Sequence, residues 1–102
     1  MAINLTQENF DETIAEGVTL VDFWSASCGP CLLLAPTMDE LAKRFEGRHK
    51  ICKVNVAEAG ELLTRYEIMV VPTVLLFKNG ELLDKRLGNH PIEEFENMLA
   101  QV

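Results

Sequence analysis

Six residues near the start of the chain, Thr19-Leu20-Val21-Asp22-Phe23-Trp24, restrict the fold more than any other stretch. Five of them are β-branched, aliphatic or aromatic, and a run of that kind suits a strand covered on both faces. Such a strand needs layers above and below it, so the rest of the chain must supply helices for two sides of a sheet.

The remaining pattern does so. Ile3 to Leu5 reads as a short edge strand. Thr6 can cap a helix with Phe10 and Ile14 on one face and Asp11, Glu12 and Glu16 outward, ended by Gly17. A second helix is expected from within Cys28-Gly29-Pro30-Cys31 to about Phe45. Leu34, Met38, Leu41 and Phe45 form its buried stripe, Pro36 kinks it and Gly47 closes it. Ile51 to Val56 reads as a strand and is followed by a short helix carrying Leu62, Leu63 and Tyr66. Thr73 to Lys78 and Glu81 to Leu87 flank Asn79-Gly80, a strong hairpin signal. After a break at Gly88, Pro91 suits a first helical position, and Ile92, Phe95, Leu99 and Val102 make the last apolar stripe. The early strands alternate with helices and are expected to pair in parallel, while the closing hairpin is antiparallel. The expectation is an α/β fold, a mixed central sheet of about five strands flanked by about four helices.

A chain of 102 residues holds one core, so a single domain over residues 1–102 is expected. Hydrophobic residues at 48% and charged residues at 25% argue against disorder. The longest apolar runs are short, such as Val74 to Phe77, no leader-like stretch opens at Met1-Ala2-Ile3-Asn4, and a cytoplasmic protein without a membrane span is expected. A formal net charge of -7 has the wrong sign for tracking phosphates, so nucleic acid is not an expected partner; the acidity reads as solubility. An odd set of three cysteines does not suit a secreted disulfide scaffold.

Two of those cysteines stand in Cys28-Gly29-Pro30-Cys31. Residues three apart on a helical turn have Cα atoms about 5 Å apart, within the roughly 4.4–6.8 Å that a disulfide needs. The pair can therefore open and close with little backbone motion. At a helix start, unpaired N–H groups and the positive dipole end favour a thiolate on the first cysteine. Cys28 is then the exposed nucleophile and Cys31 the buried resolving thiol. Half of a zinc site is the alternative, but zinc wants four ligands, and Cys52, His49 and His90 make no second pair at usual spacing. Cys52 reads as a small core residue, with a regulatory thiol the other option, and the two histidines read as solvated loop residues.

Asp22 interrupts the covered strand. A carboxylate buried there must raise its pKa or find a partner, and Lys53 in the neighbouring predicted strand can serve. Close to a redox cysteine, it is a candidate proton acceptor and donor for Cys31. The competing reading is a strand-end aspartate turned to solvent. Pro72 in Val71-Pro72-Thr73 opens a strand, and a cis bond there stands beside an ordinary trans one.

Val21-Asp22-Phe23-Trp24, Cys28-Gly29-Pro30-Cys31, Ala35-Pro36, Val71-Pro72-Thr73 and Phe77-Lys78-Asn79-Gly80-Glu81 together resemble the thioredoxin family, in order and spacing, over essentially the whole chain. The resemblance implies the thioredoxin fold and a protein disulfide reductase. Cys28 matches the attacking cysteine and Cys31 the one that resolves the mixed disulfide, leaving the two oxidised as a redox-active pair. Gly29 and Pro30 match the dipeptide that tunes the reduction potential. Asp22 matches the buried carboxylate serving Cys31, and Lys53 its neighbour. Pro72 matches a cis-proline against the disulfide. Trp24, Ser27, Val71, Pro72 and Gly88 fall where substrate is bound. Membership implies no bound cofactor, no metal, electrons from NADPH through thioredoxin reductase, disulfide-containing target proteins as partners, and a monomer.

Three departures bear on specificity. Ser27 stands where the family usually has tryptophan, Leu32 where a basic residue is common, and Met69-Val70-Val71 where an Arg-Gly-Ile-like stretch is frequent. The rim becomes less basic and more aliphatic, and altered partner preference is expected. They also motivate a competing function, a binding module on a thioredoxin scaffold with vestigial redox activity. The intact Cys28, Cys31, Asp22, Lys53 and Pro72 argue for the reductase.

Overall fold

A computed structural model describes residues 1–102. Its elements are β1 (Ile3–Leu5), α1 (Gln7–Ile14), β2 (Val18–Trp24), α2 (Gly29–Arg44), β3 (Lys50–Asn55), α3 (Gly60–Arg65), β4 (Thr73–Lys78), β5 (Glu81–Leu87) and α4 (Ile92–Ala100). The sheet order is β1-β3-β2-β4-β5, so the apolar run Thr19 to Trp24 lies in the central strand. β1 and β2 both pair in parallel with β3, β4 is antiparallel to β2, and β5 is antiparallel to β4. A mixed five-stranded sheet with four helices is the expected architecture. No helix is long and apolar enough to cross a membrane.

Side chains alternate across the sheet and feed two cores. Leu20, Ile51, Val74 and Leu76 meet Leu34, Met38 and Leu41 of α2 and Phe95, Met98 and Leu99 of α4. Val21, Phe23, Cys52, Val54, Leu75 and Phe77 meet Phe10 and Ile14 of α1 and Leu62 of α3. On the second side Phe10, Tyr66 and Phe77 form a ring cluster with centroids 5.4–5.7 Å apart. The same alternation assigns Asp22 and Trp24 to the α2 side of β2 with Leu20, and Lys53 to that side of β3 with Ile51. It assigns Cys52 to the opposite side.

Local chemistry fixes the joints. The Thr6 N–H donates to Asn9 Oδ1 at 2.8 Å, half of a reciprocal helix cap. The Lys50 ammonium donates to the carbonyls of Thr13 and Glu16, which covers the C-terminal carbonyls of α1 with positive charge. Asn79 and Gly80 both take positive φ, 50° and 84°, as a tight hairpin between twisted strands requires. The Asn79 N–H donates to the Gly17 carbonyl at 2.9 Å and its Oδ1 accepts from the Gly17 N–H at 2.8 Å, so the hairpin tip is pinned to the turn before β2.

Some boundaries differ from expectation. β3 ends at Asn55 because the Asn55 side chain accepts from the Ala57 N–H at 3.0 Å and turns Val56–Glu58 into a 3-10 helix. Pro91 caps α4 from an extended conformation, φ −68 and ψ 157, and Ile92 is the first helical residue. α2 runs through Pro36 as a single element. His49 and His90 lie in loops as expected and are partly exposed: His49 packs on the Phe45 ring at 5.3 Å, and His90 bonds the Leu87 carbonyl at 2.8 Å. The sheet margins are unequal. β1 has three residues, while β5 carries Asp84, Lys85 and Arg86 and is out of regular register opposite Leu76 and Phe77.

Candidate active site

The carboxyl end of β2 leads into Ser25-Ala26-Ser27 and then into the first turn of α2. Cys28 is the N-cap of α2 in extended backbone, φ −101 and ψ 112, with Pro30 in the first turn. A serine or aspartate oxygen usually fills this role; here a sulfur does, and Cys28 Sγ accepts from the Cys31 N–H at 3.1 Å. Negative charge on that sulfur is favoured by the amide and by the dipole of a sixteen-residue helix. Cys28 and Cys31 are joined as a disulfide with Cα atoms 5.2 Å apart, close to the spacing anticipated from helical geometry. The two partners are not equivalent: Cys28 is half-buried, whereas Cys31 is 2% exposed.

A second segment meets the first. The Val71–Pro72 peptide bond is cis, and Cys28 Sγ lies 3.6 Å from the Val71 carbonyl oxygen. Two contacts hold this turn. The Thr73 hydroxyl donates to the Val70 carbonyl at 2.6 Å, and the Gly88 N–H donates to the Pro72 carbonyl at 2.8 Å. Gly88 has φ 82°, a backbone conformation that favours glycine. Ser27 is exposed, and its hydroxyl lies 3.2 Å from that of Ser25.

Asp22 is 3% exposed, which excludes the solvent-facing alternative. It stands opposite Lys53 in the parallel β2–β3 register. Its Oδ1 has no hydrogen-bond partner, and Lys53 acts on it through space; Lys53 Nζ lies 5.9 Å from the centre of the Trp24 ring. Burial pushes the Asp22 carboxyl up to about 7, against the opposing pull of the Lys53 charge. Asp22, Trp24, Cys31 and Lys53 line one cavity of about 210 Å³ together with Leu32, Ala35 and Met38. The buried Cys31 sulfur and the Asp22 carboxyl therefore line the same cavity.

Cys52 is fully buried on the far side of the sheet, opposite Val21, and burial pushes its thiol up to about 12. No group of three or more His, Cys, Asp or Glu side chains is gathered for a metal ion. Of the expected site residues, the fold brings Trp24, Ser27, Cys28, Gly29, Pro30, Cys31, Val71, Pro72 and Gly88 to one end of the sheet, with Asp22 and Lys53 directly below.

The thioredoxin family model matches residues 1–101. The chain belongs to the thioredoxin family. It is 42% identical over 97 residues to a thioredoxin of Staphylococcus haemolyticus, covering 95% of this chain and 93% of that one. Identity to a thioredoxin of Staphylococcus saprophyticus is 40% over 99 residues, 97% and 95% of the two chains. A Staphylococcus aureus thioredoxin is 40% identical over 97 residues, covering 95% and 93%. The thioredoxin fold and the joined Cys28–Cys31 pair make this a protein-disulfide oxidoreductase working by dithiol–disulfide exchange. That chemistry needs no bound cofactor, since two sulfur atoms carry both electrons.

Two parts of the site were not found in the sequence. The Thr73 hydroxyl that restrains the Val70–Pro72 turn looks like an ordinary β-branched strand residue. The Ser25–Ser27 contact has a signal in the Ser-x-Ser spacing, since hydroxyls two residues apart in a turn often bond.

Proposed function

We propose that the chain reduces protein disulfides, with Cys28 as the nucleophile, Cys31 as the resolving thiol and Asp22 as the proton carrier between cycles. The observation that carries this assignment is the inequality of the pair: Cys28 lies at the helix start beside the surface, and Cys31 is enclosed with Asp22.

In the reduced protein the Cys28 thiolate attacks one sulfur of a target disulfide. A mixed disulfide forms, and the first target thiolate leaves and takes a proton. Cys31 then gives its proton to Asp22 and attacks Cys28 Sγ, and the second target thiolate leaves and is protonated as Asp22 releases that proton. The products are a protein disulfide and two target thiols, so two electrons and two protons pass to the target. A carboxyl near 7 can accept and return the proton at neutral pH, and Lys53 keeps it from rising further. Gly29 and Pro30, which shape the first turn, set the reduction potential. Trp24, Ser27, Val71, Pro72 and Gly88 contact the target.

The electron source proposed is NADPH through thioredoxin reductase, with disulfide-containing proteins as the other partners. The chain acts as a monomeric single domain over residues 1–102, in the cytoplasm, without nucleic acid or membrane. Insulin reduction with dithiothreitol tests the core of this reading. Activity in the wild type that is lost in Cys28→Ser supports it; equal inactivity of both supports a scaffold role. Cys31→Ser should hold targets as stable mixed disulfides on Cys28, and capture of none with the Cys28 thiol free would count against the assigned roles.

A further inference from the structure

We propose that Leu32 is a positioning residue for the proton transfer: its side chain stands at the mouth of the cavity that Asp22 and Cys31 line and withholds bulk water from the carboxyl. The proposal rests on the proton-carrier role assigned to Asp22 above and adds the residue that regulates it.

The cavity measures about 210 Å³, and of the residues lining it Leu32 alone is exposed. Asp22 and Cys31 are buried, while Trp24 and Lys53 are half-buried. At 58% exposure Leu32 is partly in water and partly on the cavity wall, which places it where solvent would enter. The helix fixes it there. Leu32 directly follows Cys31, and its N–H donates to the Cys28 carbonyl at 3.1 Å. A basic side chain, common at this position in the family, would carry a charge and its hydration to the same mouth; leucine carries neither.

Solvent access matters here because the groups inside are polar. Asp22 Oδ1 and Trp24 Nε1 are buried and bond to no other protein group, so their hydrogen bonds fall to water. An ionised carboxylate needs that solvation far more than a neutral carboxyl does. Each water admitted therefore favours the charged form of Asp22, and an apolar side chain at the entrance favours the neutral one. Burial already acts on this carboxyl more strongly than the Lys53 charge does, which makes the entrance the more powerful control.

The charges around Asp22 leave this control in place. Lys53 is the one cation lining the cavity, and Cys31 is the other titratable group once the disulfide opens. On β4 the residue opposite Asp22 is Val74, which is apolar. On α2, Asp39 accepts from the Ala2 N–H, Glu40 pairs with Arg44, and Lys43 lines a separate groove. On α4, Glu94 pairs with Arg86 and Glu96 with Arg44, while Glu93 is exposed.

The test follows the Asp22 carboxyl carbon by NMR across pH in the full-length oxidised protein, its signal identified by absence from Asp22→Asn. Leu32→Ser opens the mouth without adding charge, and Leu32→Met keeps it closed. Leu32 belongs to neither apolar core, so both variants keep the fold. The serine variant is expected to lower the titration midpoint by about one pH unit, a tenfold change in the ionisation constant, and the methionine variant to leave it in place. The same shift should appear in the pH profile of the Cys31 step, read as the second release of aryl thiolate when the reduced protein meets an aromatic disulfide. That step needs the ionised carboxylate, whereas a merely structural effect would scale the rate equally at every pH. An unchanged midpoint in Leu32→Ser, an equal fall in both variants, or a midpoint shift that the rate profile does not follow overturns the proposal and leaves the proton-carrier reading intact. A rate profile that is the same in the wild type and Asp22→Asn overturns the proton-carrier reading, and this proposal with it.

Discussion

Replacing Asp22 by asparagine should stabilise the oxidised protein, by an amount that grows with pH. An ordinary aspartate ionises at 3.8, and burial moves Asp22 to about 7. In the unfolded chain the group is already ionised above pH 4, whereas the native state holds it protonated until near neutrality. The unfolded state therefore binds fewer protons across that interval, and native stability falls as pH rises through it. At about 1.4 kcal/mol per pH unit, a gap of about three units makes the ionised carboxylate cost the native state about 4 kcal/mol. Asparagine has nearly the same shape and no charge, so it escapes this cost. Below about pH 4 both side chains are neutral, and the two proteins differ only by a constant offset. Urea unfolding of both oxidised proteins at several pH values between about 4 and 8.5 measures the difference, with titrations elsewhere cancelling in the comparison. The advantage of Asp22→Asn should grow by about 4 kcal/mol across the range. Lys53→Met removes the charge that holds the carboxyl down, so in that background the growth should start at the same pH and continue to higher pH before it levels off. An advantage changing by less than about 0.5 kcal/mol, the scatter of unrelated substitutions, would refute the reasoning.

Two further outcomes follow from other parts of the molecule. Oxidised native protein should give no reaction with a thiol reagent at pH 8 and one equivalent in concentrated guanidinium, because Cys52 is its only free thiol and is buried; rapid native labelling would show that the sheet does not shield it. With an ordinary bacterial thioredoxin reductase, the chain should turn over with lowered kcat/KM and Ser27→Trp should recover part of the loss, whereas undiminished efficiency in the wild type would mean that the departures at Ser27, Leu32 and Val70 do not reach the reductase contact.

What could be read before folding was whatever a single segment encodes. The central strand, the α2 stripe and the Asn79-Gly80 turn are each set by spacing within one stretch. The same is true of the Cys28–Cys31 pair, whose geometry is one helical turn. Asp22 was legible as an anomaly, but its enclosure with Cys31 depends on α2 crossing the face of β2 to which alternation assigns it. The direction of β4 was not legible, since helix–strand alternation does not say on which side of β2 the chain returns. The end of β3 was misjudged because the Asn55 side chain competes with the strand ladder, an effect apolar pattern does not carry. The apolar groove lined by Val56, Leu63, Ile68, Met69, Val70 and Val71 was invisible for a simpler reason. Its residues come from three segments that are neighbours only in the folded chain.

The two margins of the sheet bear on how the protein behaves when crowded. A free strand edge offers unpaired N–H and carbonyl groups to a second molecule, the first step toward fibrous association. β1 is too short for a foreign strand to extend far, and β5 is bent out of register and studded with charge. With both margins blunted in this way, the protein can remain dispersed at concentrations where an open edge would template its own kind.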